Sequence, residues 1–233
     1  MSNLGYTDTP FLPGGPWRVH DSHRPQPRVV SLDPLPSDAI VLFDGTHTEY
    51  WRHLDGSACR WECVEGAMRV VKGTGDITSV AVFGNMQLHL EFKSPTPTSG
   101  EGQGRGNSGV FIMGLYEIQV LDNYENPTYA DGTVGSVYGE FPPLVNAARE
   151  PGTWQSYDIL WKVPLFDRAG KCVQPAVVTV LLNGIVVQNH QALLGATSHR
   201  VVGKYADHAP TGPIKLQDHG DPVEFRNIWV RPL

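Results

Sequence analysis

The sequence predicts an all-β protein, built as a sandwich of two antiparallel sheets. Several segments alternate apolar and polar residues with a period of two, as strands with one buried face do. Glycine (25 residues) and proline (19 residues) are frequent while 18% of the 233 residues are charged, a balance that favours many turns over long solvated helices. No window has the periodicity of an amphipathic helix of three turns, and residues 144–149 offer only a short helical turn.

The N-terminal part of the chain predicts an irregular arm. Its first 37 residues contain seven prolines, a density that excludes a regular helix or a central strand. Trp17, Val19 and Val29 are apolar enough to hold such a segment against a surface. We therefore expect a proline-rich arm over residues 1–38, packed on a sandwich domain over residues 39–233.

Strand patterns follow one another along the rest of the chain. Three pairs of residues, Asp44-Gly45, Glu65-Gly66 and Asn183-Gly184, predict tight turns, the last two inside hairpins. The segments with strand character are residues 39–43, 61–71, 86–93, 109–114, 116–122, 156–163, 176–190, 213–220 and 223–230. Because they pair through short turns, we expect antiparallel sheets.

Alternation also predicts which side chains face the core. The residues expected to be buried are Leu88, Leu90, Ile118, Val120 and Leu216. Their neighbours form rows of polar side chains on three strands, which are Gln87, His89, Glu91 and Lys93; Glu117 and Gln119; and Lys215, Gln217 and His219. Each row is either an ordinary solvated face or one side of a binding site. The Gln, His and Glu content favours a binding site.

Charge and composition exclude several classes of function. Lys and Arg number 18 against 24 Asp and Glu, a formal net charge of −6, which argues against nucleic-acid binding and against attachment to a membrane surface. No apolar stretch approaches the ~20 residues of a membrane span. The N-terminus shows no signal sequence, so we expect a cytoplasmic protein as the chain stands, or a periplasmic or secreted one if a signal has been removed. Cys59, Cys63 and Cys172 lack the spacing of a zinc site.

Several longer motifs resemble a known family. They are LFDGTHTEYW (42–51), GRGNSGVFIMGLYEIQVLDN (104–123), VGSVYGEFPP (134–143), LNGIVVQNH (182–190) and GPIKLQDHGDPVEFRNIWVRPL (212–233). Together they resemble the DUF1080 family, also called the 3-keto-disaccharide hydrolase domain. The resemblance extends in order from about Ile40 to the C-terminus and implies a concanavalin- or laminin-G-like jelly roll.

The resemblance also implies a reaction. Its substrates would be glycosides whose sugar carries a ketone at C3, and the enzyme would act as a hydrolase or a lyase. A C3 ketone acidifies the proton on C2, so that a modest base can remove it and the aglycone can leave C1 by β-elimination. Water then adds to the resulting enone. Such a site needs a base, donors at the enolate oxygen and an acid for the leaving group.

Two residues are the candidates for the base, and others are candidates for substrate binding. His219, between Asp218 and Asp221, and Glu117 could each remove the proton, although a histidine hydrogen-bonded at a strand end would look the same. The candidates for substrate binding are Arg105, Asn107, Gln119, Gln217, Glu91, His89 and Tyr138.

A divalent metal such as manganese, calcium or zinc would find oxygen and nitrogen ligands in Glu117, His219 and Asp122, although an Asx turn explains Asp122 equally well. The glycine-rich run at residues 100–109 lacks the GK[ST] of a nucleotide loop, so no nucleotide cofactor is expected. We expect a carbohydrate as the substrate and no nucleic-acid partner, and the oligomeric state is left open.

Two other functions fit the same fold. A carbohydrate-binding module would use exposed aromatic side chains and would need no positioned base. A retaining glycosidase would need two carboxyl groups roughly 5 Å apart, whereas the strand here has Gln119 between Glu117 and Asp122. An unoxidised glycoside would be cleaved by a glycosidase and ignored by an enzyme for keto sugars.

Overall fold

The computed structural model describes residues 5–233, and these divide into two compact units, residues 5–38 and residues 39–233. Within the described part of the first unit, the chain forms turns and isolated bridges but no strand or helix. Phe11 is bridged to Arg18, whose guanidinium lies 3.9 Å from the centre of the Phe11 ring. Val29 does not anchor this segment, because its side chain is 93% exposed to water. The packing of the arm on the domain stays a prediction.

The second unit is all-β, as predicted. Its strands are β1 Ile40–Phe43, β2 Trp51–His53, β3 Glu62–Val64, β4 Ala67–Arg69, β5 Ile77–Phe83, β6 Met86–Lys93, β7 Ser108–Ile112, β8 Tyr116–Val120, β9 Gln155–Lys162, β10 Leu165–Phe166, β11 Cys172–Gln174, β12 Val177–Leu182, β13 Ile185–Ala192, β14 Gly212–Leu216 and β15 Glu224–Pro232. Two 3-10 turns, Gly102–Gly104 and Ala130–Gly132, are the helical elements of the described residues. Neither these turns nor any other described segment is a helix long and apolar enough to cross a membrane.

The strands form two large antiparallel sheets. One sheet has the order β13-β12-β9-β6-β15-β4-β3, with β1 also paired to β15, and the other has the order β2-β5-β14-β7-β8. A separate pair joins β10 to β11. Hairpins connect β3 to β4 and β12 to β13, and both turns use the predicted residue pairs. At the second turn Asn183 and Gly184 have φ values of 55° and 79°, as a tight two-residue hairpin turn requires.

The core of this unit lies between the two sheets. The five side chains predicted to be buried, those of Leu88, Leu90, Ile118, Val120 and Leu216, are each at most 1% exposed, which confirms the predicted alternation. A buried hydrogen bond also connects the sheets, since the hydroxyl of Tyr157 on β9 donates to the carbonyl oxygen of Gln119 on β8 at 2.6 Å. The sandwich is therefore held by apolar packing on both inner faces.

The polar row on β6 does not belong to the same face as the rows on β8 and β14. Strand β6 lies between β9 and β15 in the eight-stranded sheet, whereas β8 and β14 lie in the five-stranded sheet. His89 contacts Asp158 at 2.7 Å and stacks on Trp229, and Glu91 accepts a hydrogen bond from Arg226 at 2.6 Å. The expectation that His89 and Glu91 complete a shared pocket was wrong, because alternation determines the face of a strand and not its neighbours.

Candidate active site

A cavity of about 350 Å³ opens on the outer face of the five-stranded sheet. Its floor comes from β7, β8 and the chain that follows β14, and its walls come from loops. The residues that line it are Gln103, Asn107, Phe111, Glu117, Gln119, Tyr129, Tyr138, Thr197, His199, Gln217 and His219. The volume is within the range of small-molecule sites.

Loops cover the polar face of β8, so its side chains are buried on both sides of the sheet. Backbone hydrogen bonds attach residues 135–138 to this strand: the amide of Gln119 donates to Ser136, and the amide of Tyr138 donates to the carbonyl of Glu117. Along the same free edge of β8, the amide of Glu117 donates to the hydroxyl of Thr197 at 2.9 Å. Glu117 is consequently only 5% exposed and Gln119 only 1%.

Glu117 is a buried carboxyl group at the floor of the cavity. It lies opposite Phe111 on β7, and a Cβ atom placed on Gly109 would be 2.5 Å from its Oε1 atom. Burial raises the pKa of Glu117 from 4.5 to about 8, although the charge of Lys215 opposes the shift, and Asp76 adds to it. Lys215 is itself held 3.6 Å above the Phe111 ring. Glu117 is thus a carboxyl group that titrates close to neutral pH.

Amide side chains are fixed around this carboxyl group. Gln119 donates from Nε2 to Oε1 of Gln103 at 2.9 Å, and Asn107 donates from Nδ2 to the carbonyl oxygen of Gln103 at 2.7 Å. Gln103 is held in turn by hydrogen bonds to Thr128 and Gly132. The Oε1 atom of Gln119 is buried and has no partner among the described residues. It is an unmet acceptor in the cavity wall, and such groups are rare.

A chain of aromatic side chains forms the opposite wall. The hydroxyl groups of Tyr129 and Tyr138 are 2.7 Å apart, and the Tyr138 hydroxyl is 3.0 Å from Nδ1 of His199. Burial raises the pKa of Tyr138, and its hydrogen bond with Tyr129 raises it further, so this hydroxyl keeps its proton. The wall therefore combines flat apolar surfaces with hydroxyl and imidazole groups.

His219 and Gln217 lie at the rim, in the chain beyond the end of β14. The amide of Gln217 donates to the carbonyl of Gly109 at 3.1 Å, which fixes this segment beside β7. His219 lines the cavity and is exposed. The carboxylates of Asp218 and Asp221 accept hydrogen bonds from backbone amides instead, so neither orients the imidazole in the described part of the chain.

Besides His89 and Glu91, the structure places two more predicted site residues, Arg105 and Asp122, away from the cavity. Arg105 and Asp122 form a bidentate ion pair, with Nε to Oδ2 at 2.8 Å and Nη2 to Oδ1 at 3.1 Å, and Arg105 also donates to the carbonyl of Tyr124. Asp122 is 2% exposed, and neither residue lines the cavity. The expected roles of Arg105 in substrate binding and of Asp122 as a metal ligand are therefore wrong, because each side chain is engaged by the other.

The predicted metal ligands do not come together. Glu117 and His219 share the cavity, but Asp122 does not. Across residues 5–233 no group of three or more His, Cys, Asp or Glu side chains has the arrangement of a metal site. The ligand set expected from the sequence does not fit a divalent ion.

The cavity includes residues that sequence reasoning missed. They are Gln103, Phe111, Tyr129, Thr197 and His199. Phe111 lies within the motif at residues 104–123 and Gln103 lies within the glycine-rich run, so these two segments already indicated their neighbourhood. Tyr129, Thr197 and His199 lie in loops without periodicity, and only the folded chain brings them to β8.

Comparison with known proteins agrees with this fold. Residues 38–231 match the family described as the 3-keto-alpha-glucoside-1,2-lyase-like domain. The chain belongs to this family. The match includes every residue that lines the cavity and confirms the resemblance found in the sequence. None of the curated protein sequences compared with the chain matches it.

Solved structures share the fold of this member of the 3-keto-glucoside lyase-like family over most of its length. A candidate glycosyl hydrolase from Parabacteroides distasonis ATCC 8503 is 43% identical, with a TM-score of 0.88 over 94% of this chain and 99% of that one. Two more from the same organism share the fold at 20% and 23% identity, with TM-scores of 0.60 and 0.59. They cover 84% of this chain, and 94% and 99% of their own. The protein is thus a member of the 3-keto-alpha-glucoside-1,2-lyase-like family and shares its fold with candidate glycosyl hydrolases.

Proposed function

We propose that the protein cleaves glycosides whose C3 hydroxyl has been oxidised to a ketone, with Glu117 as the base that removes the C2 proton. One observation carries the proposal: Glu117 is a buried carboxyl group at the cavity floor, and its pKa is raised to about 8. A general base works best when its pKa is close to the operating pH. A C2 proton next to a ketone is acidic enough for such a base.

The reaction follows in two balanced steps. The ionised carboxylate of Glu117 takes the proton from C2, and the electron pair of the C–H bond forms the enolate of the C3 ketone. The enolate then expels the aglycone oxygen from C1, which keeps the pair of the broken bond and leaves a double bond between C1 and C2. In the second step water adds its oxygen to C1 while Glu117 returns the proton to C2, which gives the free 3-keto sugar. The proton that this water loses goes to the solvent, and the aglycone oxygen takes one from the solvent, so the second product is the free alcohol.

The polar side chains around Glu117 match the needs of this substrate. Gln119 offers a buried acceptor without a partner, which a sugar hydroxyl can satisfy. His219 and Gln217 lie together at the rim, where the imidazole and the amide can donate hydrogen bonds to the developing enolate oxygen. Asn107 is fixed by Gln103 and supplies a further polar group. Each of these roles depends on the sugar occupying the cavity over Glu117.

The carboxyl content of the cavity disfavours a retaining glycosidase. That reaction needs an acid and a nucleophile from two carboxyl groups on either side of the glycosidic bond. Among the described residues, Glu117 is the one carboxyl group that lines the cavity, because Asp122 is paired with Arg105 elsewhere. A reaction through an enolate requires only one carboxylate.

The test compares two substrates that differ only at C3. The protein should release the aglycone from a methyl 3-keto-glucoside and leave the unoxidised methyl glucoside intact. Deuterium at C2 should slow the reaction or exchange with solvent. Glu117→Gln should lower turnover by about 10²-fold or more, the usual scale for a positioned base, and kcat/KM of the wild type should rise with pH up to about 8.

Three results would contradict the proposal. Equal cleavage of the unoxidised glucoside would point to an ordinary glycosidase. Full retention of the C2 deuterium without any rate effect would exclude proton abstraction at that carbon. Sugar binding without turnover of either substrate would leave a carbohydrate-binding module as the better description.

A further inference from the structure

A second cavity of about 590 Å³ adjoins the first one. Three residues, Tyr129, Tyr138 and His199, line both cavities and form the boundary between them. If the 3-keto sugar lies over Glu117, a group attached at C1 can extend past this boundary into the second cavity. The two cavities therefore have the arrangement of a sugar site and a leaving-group site.

The two cavities differ in chemistry. Four side-chain amides line the first one, those of Gln103, Asn107, Gln119 and Gln217, and they suit the hydroxyl groups of a sugar. Within the described residues, no amide side chain lines the second cavity. It has instead two adjacent valines, Val201 and Val202, beside the tyrosine rings.

These valines are an unusual feature of the surface. Val201 is 61% exposed and Val202 is 66% exposed, and Tyr129 next to them is 46% exposed. Valine offers no hydrogen bond to a sugar hydroxyl, whereas it packs well against a flat apolar ring. A ring that also contacts the Tyr138 face would cover this apolar surface from water.

The charged residues of the second cavity narrow the choice of ligand further. Arg200 and Asp131 both line it, and no ion pair joins them in the described part of the chain. The Arg200 guanidinium favours a leaving group on which negative charge develops. The Asp131 carboxylate disfavours an aglycone that is already an anion before the reaction.

We infer that the second cavity binds the leaving group and that this group is a neutral aromatic alcohol, so that the substrate class is the aryl 3-keto-glycosides. The inference rests on the proposed function for the identity of the sugar. When the bond between C1 and the phenolic oxygen breaks, the oxygen keeps the electron pair and leaves as a phenolate beside Arg200. Water protonates the phenolate after its release.

The experiment uses the whole chain and a double variant, Val201→Ser with Val202→Ser. For 4-nitrophenyl 3-keto-glucoside, kcat/KM should fall about tenfold, because apolar contacts of this size are worth roughly that factor. For methyl 3-keto-glucoside, which has no ring to place, kcat/KM should stay unchanged. Val173→Ser is the matched control, since Val173 is 60% exposed and lines neither cavity.

Equal losses for the aryl and the methyl substrate, or no loss for either, would overturn the inference. The inference would also be overturned if the double variant lowered kcat/KM for a 3-keto-disaccharide as much as for the aryl substrate, because a second sugar would then be the ligand of this cavity.

A binding measurement separates this inference from the proposed function. In calorimetric titrations 4-nitrophenol should bind the wild type and Val173→Ser equally, and the double variant about tenfold more weakly. This result would support an aromatic site even if the wild type cleaves no 3-keto-glucoside, in which case only the proposed function fails. Equal affinity for all three proteins, or no binding to the wild type, would overturn the inference itself.

Discussion

Replacing Glu117 by glutamine should stabilise the folded protein at alkaline pH while it abolishes the proposed base. The pKa of Glu117 is raised from 4.5 to about 8 by burial. Below pH 4.5 the group is neutral in both the folded and the unfolded chain, and it has no effect. Between pH 4.5 and 8 only the unfolded chain ionises it, so the free energy of unfolding falls as the pH rises. Above pH 8 the loss is complete and constant.

The size of this loss follows from the shift. One pKa unit corresponds to about 1.4 kcal/mol, so a shift of this size is worth about 3–5 kcal/mol at pH 8 and above. Glutamine has the same shape as glutamate and stays neutral at every pH. Glu117→Gln therefore removes the pH-dependent loss of unfolding free energy that Glu117 causes. The difference in unfolding free energy between the variant and the wild type should therefore grow by about 3–5 kcal/mol from pH 4.5 to pH 8.

Urea denaturation at several pH values between 4.5 and 9 measures this difference directly. Glu224→Gln is a control of opposite sign, because burial raises the pKa of Glu224 but hydrogen bonds and charge from Lys93 and Arg69 outweigh it and lower the pKa overall. That variant should lose stability at neutral pH, and the loss should shrink as the pH falls. Parallel curves for the wild type and Glu117→Gln would refute the reasoning, since they would mean that the folded protein does not raise the pKa of Glu117.

Three other substitutions test the geometry of the site. Gly109→Ala would place its Cβ 2.5 Å from Oε1 of Glu117 and 2.9 Å from Cε2 of Phe111, so the carboxylate and the ring must both shift. The urea midpoint should fall and kcat/KM should drop about tenfold or more; unchanged activity would show that the position of the carboxylate is not critical. Arg105→Ala leaves Asp122 buried without its partner and should lower the unfolding free energy by about 3–5 kcal/mol; a raised KM at full stability would instead place Arg105 at the substrate. His219→Ala should lower kcat/KM by about 10²-fold with little change in melting temperature, because the side chain is exposed, and full activity would remove His219 from the reaction.

The inward faces of the strands were predictable because they depend on local geometry. Successive side chains of a strand point to opposite faces, so the alternation in β6 was enough to place Leu88 and Leu90 in the core. The hairpin turns were predictable for the same reason, since Asn183-Gly184 adopts its positive φ values within two residues. These features need no knowledge of the rest of the chain.

The candidate site was predictable only in part. Glu117, Gln119, Gln217, His219, Asn107 and Tyr138 all line one cavity, as the polar rows and the family motifs indicated. Arg105 does not line the cavity, because it pairs with Asp122. The glycine-rich run predicts a loop, but it does not show which carboxylate the arginine contacts. His89 does not, because β6 lies in the other sheet.

The sequence by itself determined the all-β class, the strand segments, the inward faces and the family, because each of these is encoded by neighbouring residues or by a continuous motif. Tertiary structure alone decided the strand order, in which β14 lies between β5 and β7 although about a hundred residues or more separate it from either. It also decided that loops at residues 129–138 and 197–199 cover the outer face of β8. The raised pKa of Glu117 arises from that cover, because desolvation depends on everything that folds over a side chain and not on the strand that carries it.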